Sequence, residues 1–388
     1  MYLQRPILLG LVLLASIAAT GCGGASGAPT PPASSAAPPQ GSIRATAQPV
    51  SLVSPWGLAQ LPDGSWLMTQ RTGGVARVSA DLASSQPVSG APEVDSAGQG
   101  GLLDIALDPD FATSPYVYLS YSEPGTASEA GTAGTAVARA QLVGNTLQNL
   151  TVIFRQTPKV VGNAHYGSRL VFGRDKSLFI TLGERQIGSA AQDVAQTLGK
   201  VVRIQRDGSI PADNPDFGPG ARPGLWSIGH RNPQGAAIHP VTGELWEGEH
   251  GPQGGDEINI ARAGANYGWP IVSYGCNYGD PVGDACRIGG GTHAPRFVEP
   301  LTYWVPTSIA PSGMAFYSGA MFPEWQGNLF VGALAGHALW RLTLSGNTVA
   351  MREALFSELG ERIRAVKPAA DGALLFITDS GKLYRVAR

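Results

Sequence analysis

Short runs of β-branched, aromatic and aliphatic residues, each introduced by turn-forming residues, recur along most of the chain. The clearest is Pro62-Asp63-Gly64-Ser65-Trp66-Leu67-Met68-Thr69. It is followed by Asp108-Pro109-Asp110 leading to Val117-Tyr118-Leu119-Ser120, and by Arg174-Asp175-Lys176-Ser177-Leu178-Phe179-Ile180-Thr181. Thr242-Gly243-Glu244-Leu245-Trp246, Gln326-Gly327-Asn328-Leu329-Phe330-Val331 and Asp371-Gly372-Ala373-Leu374-Leu375-Phe376 complete six copies. Asp-Gly and Gly-Asn pairs supply the positive-φ positions of tight hairpins. Spread over about 340 residues, six copies give roughly 57 residues each, room for four strands with loops of uneven length. Helical periodicity is almost absent, with a turn or two expected over 190–200. A sandwich of this length would be unusually large, and a β-helix would repeat at a much shorter period. The pattern predicts an all-β, six-bladed β-propeller of four-stranded blades, in which each blade covers its neighbours and leaves little free edge.

Composition divides the 388 residues. The first 21 read as an export signal: Arg5 gives a positive start, and 6–19 is an apolar stretch short for a bilayer span. Ala19-Thr20-Gly21-Cys22 resembles a bacterial lipobox with Cys22 as the lipidated residue, although an ordinary signal peptide with an incidental cysteine has the same outline. Residues 22–47 are mostly Gly, Ala, Ser and Pro and read as a flexible, lipid-anchored tether. The remainder, 48–388, reads as one domain. An exported location, on the periplasmic side or the cell surface, follows as an expectation. Besides Cys22 the only cysteines are Cys276 and Cys286. An oxidising compartment would let them pair, whereas zinc would need more ligands than the nearby His293.

Charge narrows the function. With 27 basic and 29 acidic residues nearly cancelling and no basic stripe, nucleic acid is not an expected partner. The chain has no Gly-x-Ser-x-Gly elbow, no Walker loop and no Gly-x-Gly-x-x-Gly after a strand, so serine-triad hydrolysis and nucleotide chemistry have no support.

A propeller gathers functional side chains on loops at one end of its channel, and five segments have suitable chemistry. Asn163-Ala164-His165-Tyr166-Gly167-Ser168-Arg169-Leu170 carries a histidine, the side chain most easily poised as a base near neutral pH. Gly229-His230-Arg231-Asn232-Pro233-Gln234-Gly235 packs cationic and amide groups into a turn, suited to carboxylates or carbonyls but also to plain solvation. Glu249-His250-Gly251-Pro252-Gln253-Gly254-Gly255-Asp256-Glu257-Ile258-Asn259, followed by Asn266-Tyr267-Gly268-Trp269-Pro270, offers the carboxylates and carbonyls a hard cation prefers, or an acidic surface loop. Gly360-Glu361-Arg362-Ile363-Arg364 places both arginines on one strand face, which suits solvent unless an anion sits between them. Gln99, in Gly98-Gln99-Gly100-Gly101, is an amide on a flexible loop. His239, His293 and His337 lie in turn contexts and read as surface residues.

Together these segments resemble the soluble PQQ-dependent sugar dehydrogenases, in particular the aldose sugar dehydrogenase branch. The resemblance spans nearly all of 48–388 and also rests on Pro55-Trp56-Gly57-Leu58 and Gly101-Leu102-Leu103-Asp104-Ile105-Ala106. It implies an enzyme that oxidises the anomeric carbon of aldoses to lactones and passes electrons to an acceptor the sequence does not identify. His165 matches the family's general base, which takes the anomeric hydroxyl proton as hydride leaves for the quinone. Gln99, Arg231, Asn232, Tyr278, Ala333, Leu334, Ala335, Arg362 and Arg364 match contacts to PQQ. Gly251 and Pro252 match carbonyl ligands of a Ca²⁺ that bridges to the cofactor, and Glu257 and Tyr267 match a further calcium site. Two departures stand out. No lysine lies near Ala335, which shifts cofactor anchoring onto the arginines, and Glu184 stands where an acidic partner of the histidine, often Asp, is expected. A lipid-anchored binding propeller without redox chemistry, and a calcium-dependent lactone hydrolase, are the competing readings. The first leaves His165 and the paired arginines unexplained. The second requires acidic and amide ligands converging on one channel ion.

Overall fold

The structure, a computed structural model, describes residues 42–388. The export signal, the lipobox at Cys22 and most of the tether lie outside the described residues. Six four-stranded antiparallel sheets make up the domain. Their innermost strands are Pro55–Gln60, Leu102–Leu107, Leu170–Phe172, Pro233–Ile238, Pro311–Phe316 and Ile363–Pro368, and they contact one another around a central channel. Each of the six sequence repeats forms the second strand of its blade: Trp66–Gln70, Tyr116–Pro124, Leu178–Leu182, Leu245–Glu249, Leu329–Ala333 and Leu374–Thr378. In the preceding turns, Asp63, Asp175 and Asp371 each accept the backbone N–H two residues on, at 3.0, 3.1 and 3.0 Å, which fixes the hairpin locally.

The sixth blade is closed by the other end of the domain. Arg44–Ser51 pairs with Lys382–Ala387, Arg44 lying opposite Ala387. This strand begins inside the stretch read as tether. Its own composition is unremarkable, and it is ordered because a free edge on the last strand offers a ladder of backbone partners. The segment expected to make helical turns contributes one 3₁₀ turn, Gly188–Gln192.

Six of the seven hydrophobic clusters among the described residues each lie between two successive blades. Leu67 and Val75 of the first blade meet Leu119 and Ala138 of the second; Trp246 and Ile258 of the fourth meet Met314 and Val331 of the fifth. Leu58 and Met68 of the first meet Leu375 and Ile377 of the sixth, which completes the ring. Each fully buried aliphatic side chain contributes about 1.5–3 kcal/mol. Register shifts interrupt five of the six innermost strands near their first residues. Bulges at that point bend the strand and re-aim side chains at the loop end of the channel.

Candidate active site

The loops that lead into the innermost strands converge at one channel mouth and carry His165, Arg231, Asn232 and Arg362. His165 lies in the left-handed region at φ 54°, a conformation that costs a non-glycine residue energy and persists only where neighbours fix it. Two contacts fix it here. Its backbone N–H donates to Gln99 Oε1 at 2.8 Å, and its ring Nδ1 lies 2.6 Å from Glu184 Oε2. Glu184 is buried, receives Gln186 N–H at 2.9 Å on the same oxygen, and donates its own N–H to the Arg231 carbonyl at 2.9 Å. A carboxylate on Nδ1 selects the tautomer with the proton there and leaves Nε2 as the acceptor. The glutamate therefore orients the ring as an aspartate would, its longer side chain notwithstanding.

Arg231 and Asn232 are held from behind. Arg231 N–H donates to Glu249 Oε2 at 2.5 Å, and its Nη1 to the His250 carbonyl at 3.1 Å. Asn232 Oδ1 accepts Gly167 N–H at 3.1 Å, tying this loop to the histidine loop. His250 beneath them is partly buried, and desolvation by the surrounding protein together with the Arg231 charge pushes its pKa down to about 3. It remains a neutral imidazole with Nε2 2.8 Å from the Pro311 carbonyl.

Across the mouth, Arg362 and Arg364 do share one face, and a carboxylate of the chain itself sits between them. Asp379 Oδ2 accepts Arg362 Nε at 3.0 Å, and its Oδ1 accepts Arg364 Nε at 2.8 Å. Burial alone would raise the Asp379 pKa; Arg364 and Arg362 outweigh it and hold the carboxyl below its usual range. Asp379 and Arg71 were not singled out from the sequence. Arg71 Nε reaches the Gly100 carbonyl at 3.1 Å, and its Nη2 bonds the Gly98 carbonyl, gripping the loop on both sides of Gln99. Both lie at the ends of second strands, Thr378-Asp379 and Gln70-Arg71. That shared place in the repeat was the available signal.

Ala333 and Leu334 are buried, and the Leu334 carbonyl accepts Arg362 Nη1 at 3.1 Å. Tyr278 is 72% exposed on the loop closed by the Cys276–Cys286 disulfide. Paired hydrogen bonds of 3.0 Å between Gln253 and Cys276 join that loop to the Gly251–Pro252 turn. Gly251 has no room for a side chain, since a Cβ there would lie 2.3 Å from the Gly254 carbonyl oxygen. Its N–H donates to Asp256 Oδ1 at 2.9 Å.

Beneath the mouth lies an unexpected layer of buried acid. Glu247, Glu249 and Glu257 are all interior. Glu249 faces Glu257 across paired strands, and Glu247 faces Asn259. Burial first, and then the Glu249 charge, raise the pKa values of Glu247 and Glu257 well above the normal range. His293 belongs to this layer. It is 2% exposed, with Nε2 3.4 Å from Glu257 Oε1, so the surface reading of His293 is corrected: its turn packs Tyr274 against the ring. His239 is half-buried against Trp246 and Phe316, while His337 is exposed. A cavity of about 10 Å³ between Arg231, Glu249, Glu257, Tyr267 and His293 has room for one ion or water. The Tyr267 hydroxyl is turned away from it, bonded to the Ile260 carbonyl and accepting Arg262 N–H at 2.9 Å.

The residues fit the groups the sequence reading implied. Arg231 Nε is buried without a hydrogen-bond partner, as expected of a donor reserved for an anionic oxygen. Among the described residues no hydrogen bond engages Nε2 of His165. The glycine turn exposes backbone carbonyls next to buried carboxylates, the donor set of a hard cation.

A closed six-bladed propeller with an oriented imidazole and clustered arginines at one mouth describes an enzyme class rather than a scaffold alone. A family model described as Glucose / Sorbosone dehydrogenase matches residues 52–385, and the chain belongs to that family. It is 45% identical over 342 residues to the aldose sugar dehydrogenase YliI of Escherichia coli K12, covering 86% of this chain and 90% of that protein. The crystal structure of the soluble aldose sugar dehydrogenase from Escherichia coli in the apo form matches with a TM-score of 0.82 at 41% identity, over 89% of this chain and 99% of that one. The PQQ-bound aldose sugar dehydrogenase from Streptomyces coelicolor matches with a TM-score of 0.74 at 30% identity, over 90% and 99%.

Proposed function

We propose that this protein is a PQQ- and calcium-dependent dehydrogenase that oxidises the anomeric carbon of aldose sugars to lactones. The observation that carries the reading is His165, with Nδ1 2.6 Å from a buried carboxylate and Nε2 unengaged beside Arg231 and Asn232. The relatives named above support the substrate class and the cofactor.

His165 Nε2 takes the proton of the anomeric hydroxyl, and Glu184 stabilises the imidazolium that results. PQQ, when bound, supplies the two-electron acceptor for the hydride released from the same carbon. Arg231 and Asn232 hold the quinone end, where a cation favours developing negative charge. Arg362 and Arg364 take the cofactor carboxylates, with Asp379 keeping the two guanidinium groups aligned before the ligand arrives. Gln99 keeps its place under the grip of Arg71, and the 333–335 turn approaches through its backbone. Tyr278 covers the rim. Gly251 and Pro252 would offer backbone carbonyls to a Ca²⁺ held beside the cofactor. Glu257 contributes a carboxylate to a second Ca²⁺, and Tyr267 its backbone carbonyl, because its hydroxyl is committed elsewhere. The disulfide supports folding in an oxidising compartment, in keeping with an exported, lipid-anchored protein.

The test is reconstitution of purified protein with PQQ and Ca²⁺, followed by dye reduction with a panel of aldoses. Turnover is expected, and His165→Ala is expected to retain the PQQ-dependent absorbance change while losing it. Binding of glycans without dye reduction would favour a recognition module and overturn the proposal.

A further inference from the structure

The acidic layer beneath the mouth contains a second donor set that the proposed calcium sites leave unused. His230, Glu247 and Glu249 each place one ligand atom within 4.8 Å of the others. His230 Nδ1 lies 3.3 Å from Glu249 Oε1 and 3.7 Å from Glu247 Oε1. Ligands at about 2.0–2.1 Å from a tetrahedral centre stand roughly 3.3–3.4 Å apart; the His230–Glu249 contact, also of hydrogen-bond length, matches that spacing, and the His230–Glu247 one is a few tenths of an ångström longer.

Three further features point to a cation. Glu247 has 0% side-chain exposure, and neither of its oxygens has a hydrogen-bond partner. A buried carboxylate left this way must either hold a proton or be completed by a positive charge. Among the described residues no lysine or arginine forms an ion pair with Glu247 or Glu249. Asn259, opposite Glu247 on the neighbouring strand, gives its amide nitrogen to Glu257 Oε2 at 3.3 Å, and its Oδ1 is likewise buried without a partner. Finally, the histidine is set as metal ligands are. Its far nitrogen Nε2 lies 2.8 Å from Ser227 Oγ, and its ring stacks on Tyr267 at 4.6 Å, which fixes Nδ1 on the carboxylates.

We propose that His230 Nδ1, Glu247, Glu249 Oε1 and Asn259 Oδ1 hold a structural divalent cation of the zinc or manganese type. An imidazole nitrogen among the ligands selects a borderline metal over Ca²⁺, which takes oxygen donors. The site is closed, its ligand residues being buried, so its role is mechanical. It locks the His230-Arg231-Asn232 loop to the Leu245–Glu249 strand, with Glu249 bonding the ion through one oxygen and Arg231 N–H through the other.

The experiment is metal counting on purified protein stripped with a chelator, saturated with Ca²⁺, then given Zn²⁺ and desalted. One tightly held zinc per chain is expected in the presence of excess calcium, with a melting temperature several degrees above the calcium-only form. Glu247→Gln is expected to lose that zinc while keeping the wild-type calcium count, and Glu257→Gln to keep it. Wild type that retains no zinc over calcium, or a zinc content unchanged in Glu247→Gln, overturns the proposal and leaves protons as the neutralising charge. If the variants fail to fold, Co²⁺ replaces zinc in the wild type: visible d–d absorption of a nitrogen and oxygen site supports the assignment, and its absence sinks it. Calcium and PQQ binding are read separately, so failure here leaves the proposed catalysis standing.

Discussion

The two ends of the central channel are built from the same six strands and have opposite characters. At the mouth, bulged strand starts and long loops gather arginines, carboxylates and His165. At the base, the same strands end in Gln60, Leu107, Phe172, Ile238, Phe316 and Pro368, around a mainly apolar cavity of about 470 Å³. Between them Arg169 plugs the channel. Its Nη1 lies 2.9 Å from Asp104 Oδ1, its Nε 2.7 Å from the Gln234 carbonyl and its Nη2 3.1 Å from the Arg364 carbonyl, and the Trp56 ring lies 4.0 Å away. One guanidinium thus joins five blades, and the cavity lining below it holds a single charged residue, Lys367. The contrast teaches that the repeat supplies rigidity and the loops supply reactivity, with a single ion pair dividing the two.

Each side can be broken on its own. His165→Ala is expected to lower kcat by about 10²–10⁴-fold with PQQ affinity and unfolding midpoint unchanged; a large drop in the midpoint would show that the histidine belongs to the framework. Arg169→Ala strands Asp104 and is expected to cost about 3–5 kcal/mol in denaturant unfolding, a loss that should appear before any change in sugar preference. Gly57→Ala should cost about 1–3 kcal/mol, because a Cβ at that position would meet Asp104 Oδ1 at 2.6 Å. The smallest effect concerns pH. The Asp379 carboxyl is depressed in the folded state, so its contribution is fully present above the unfolded carboxylate value of about 4 and is lost as pH falls below it. Asp379→Asn should flatten that acid limb of the unfolding midpoint, and a limb identical to wild type would deny the carboxylate its role between the arginines.

How much of this was legible depended on distance along the chain. The six hairpins were readable because Asp63-Gly64-Ser65 and its counterparts encode turn and strand within a few residues. Arg362 and Arg364 could be paired from alternation alone, but the anion between them, Asp379, comes from the neighbouring strand and leaves no local trace. His293 was misread for the same reason: a turn context suggests solvent, and only the fold brings Glu257 against it. Glu247 sits two residues from Glu249 in a strand that reads as ordinary, and the burial of both follows from the blade packed over them. Residues 44–47, the first half of the strand Arg44–Ser51, looked like tether because a closing strand borrows its order from a partner at the far end of the domain.

That closing strand also sets a timetable. The first strand of the domain finds its partner only in Lys382–Ala387, so the ring stays open until that strand has been made. Contacts this remote are slow to form because loop-closure entropy opposes them. Five blades can accumulate in order, but the channel, and with it any site assembled across its mouth, comes into being in one late step.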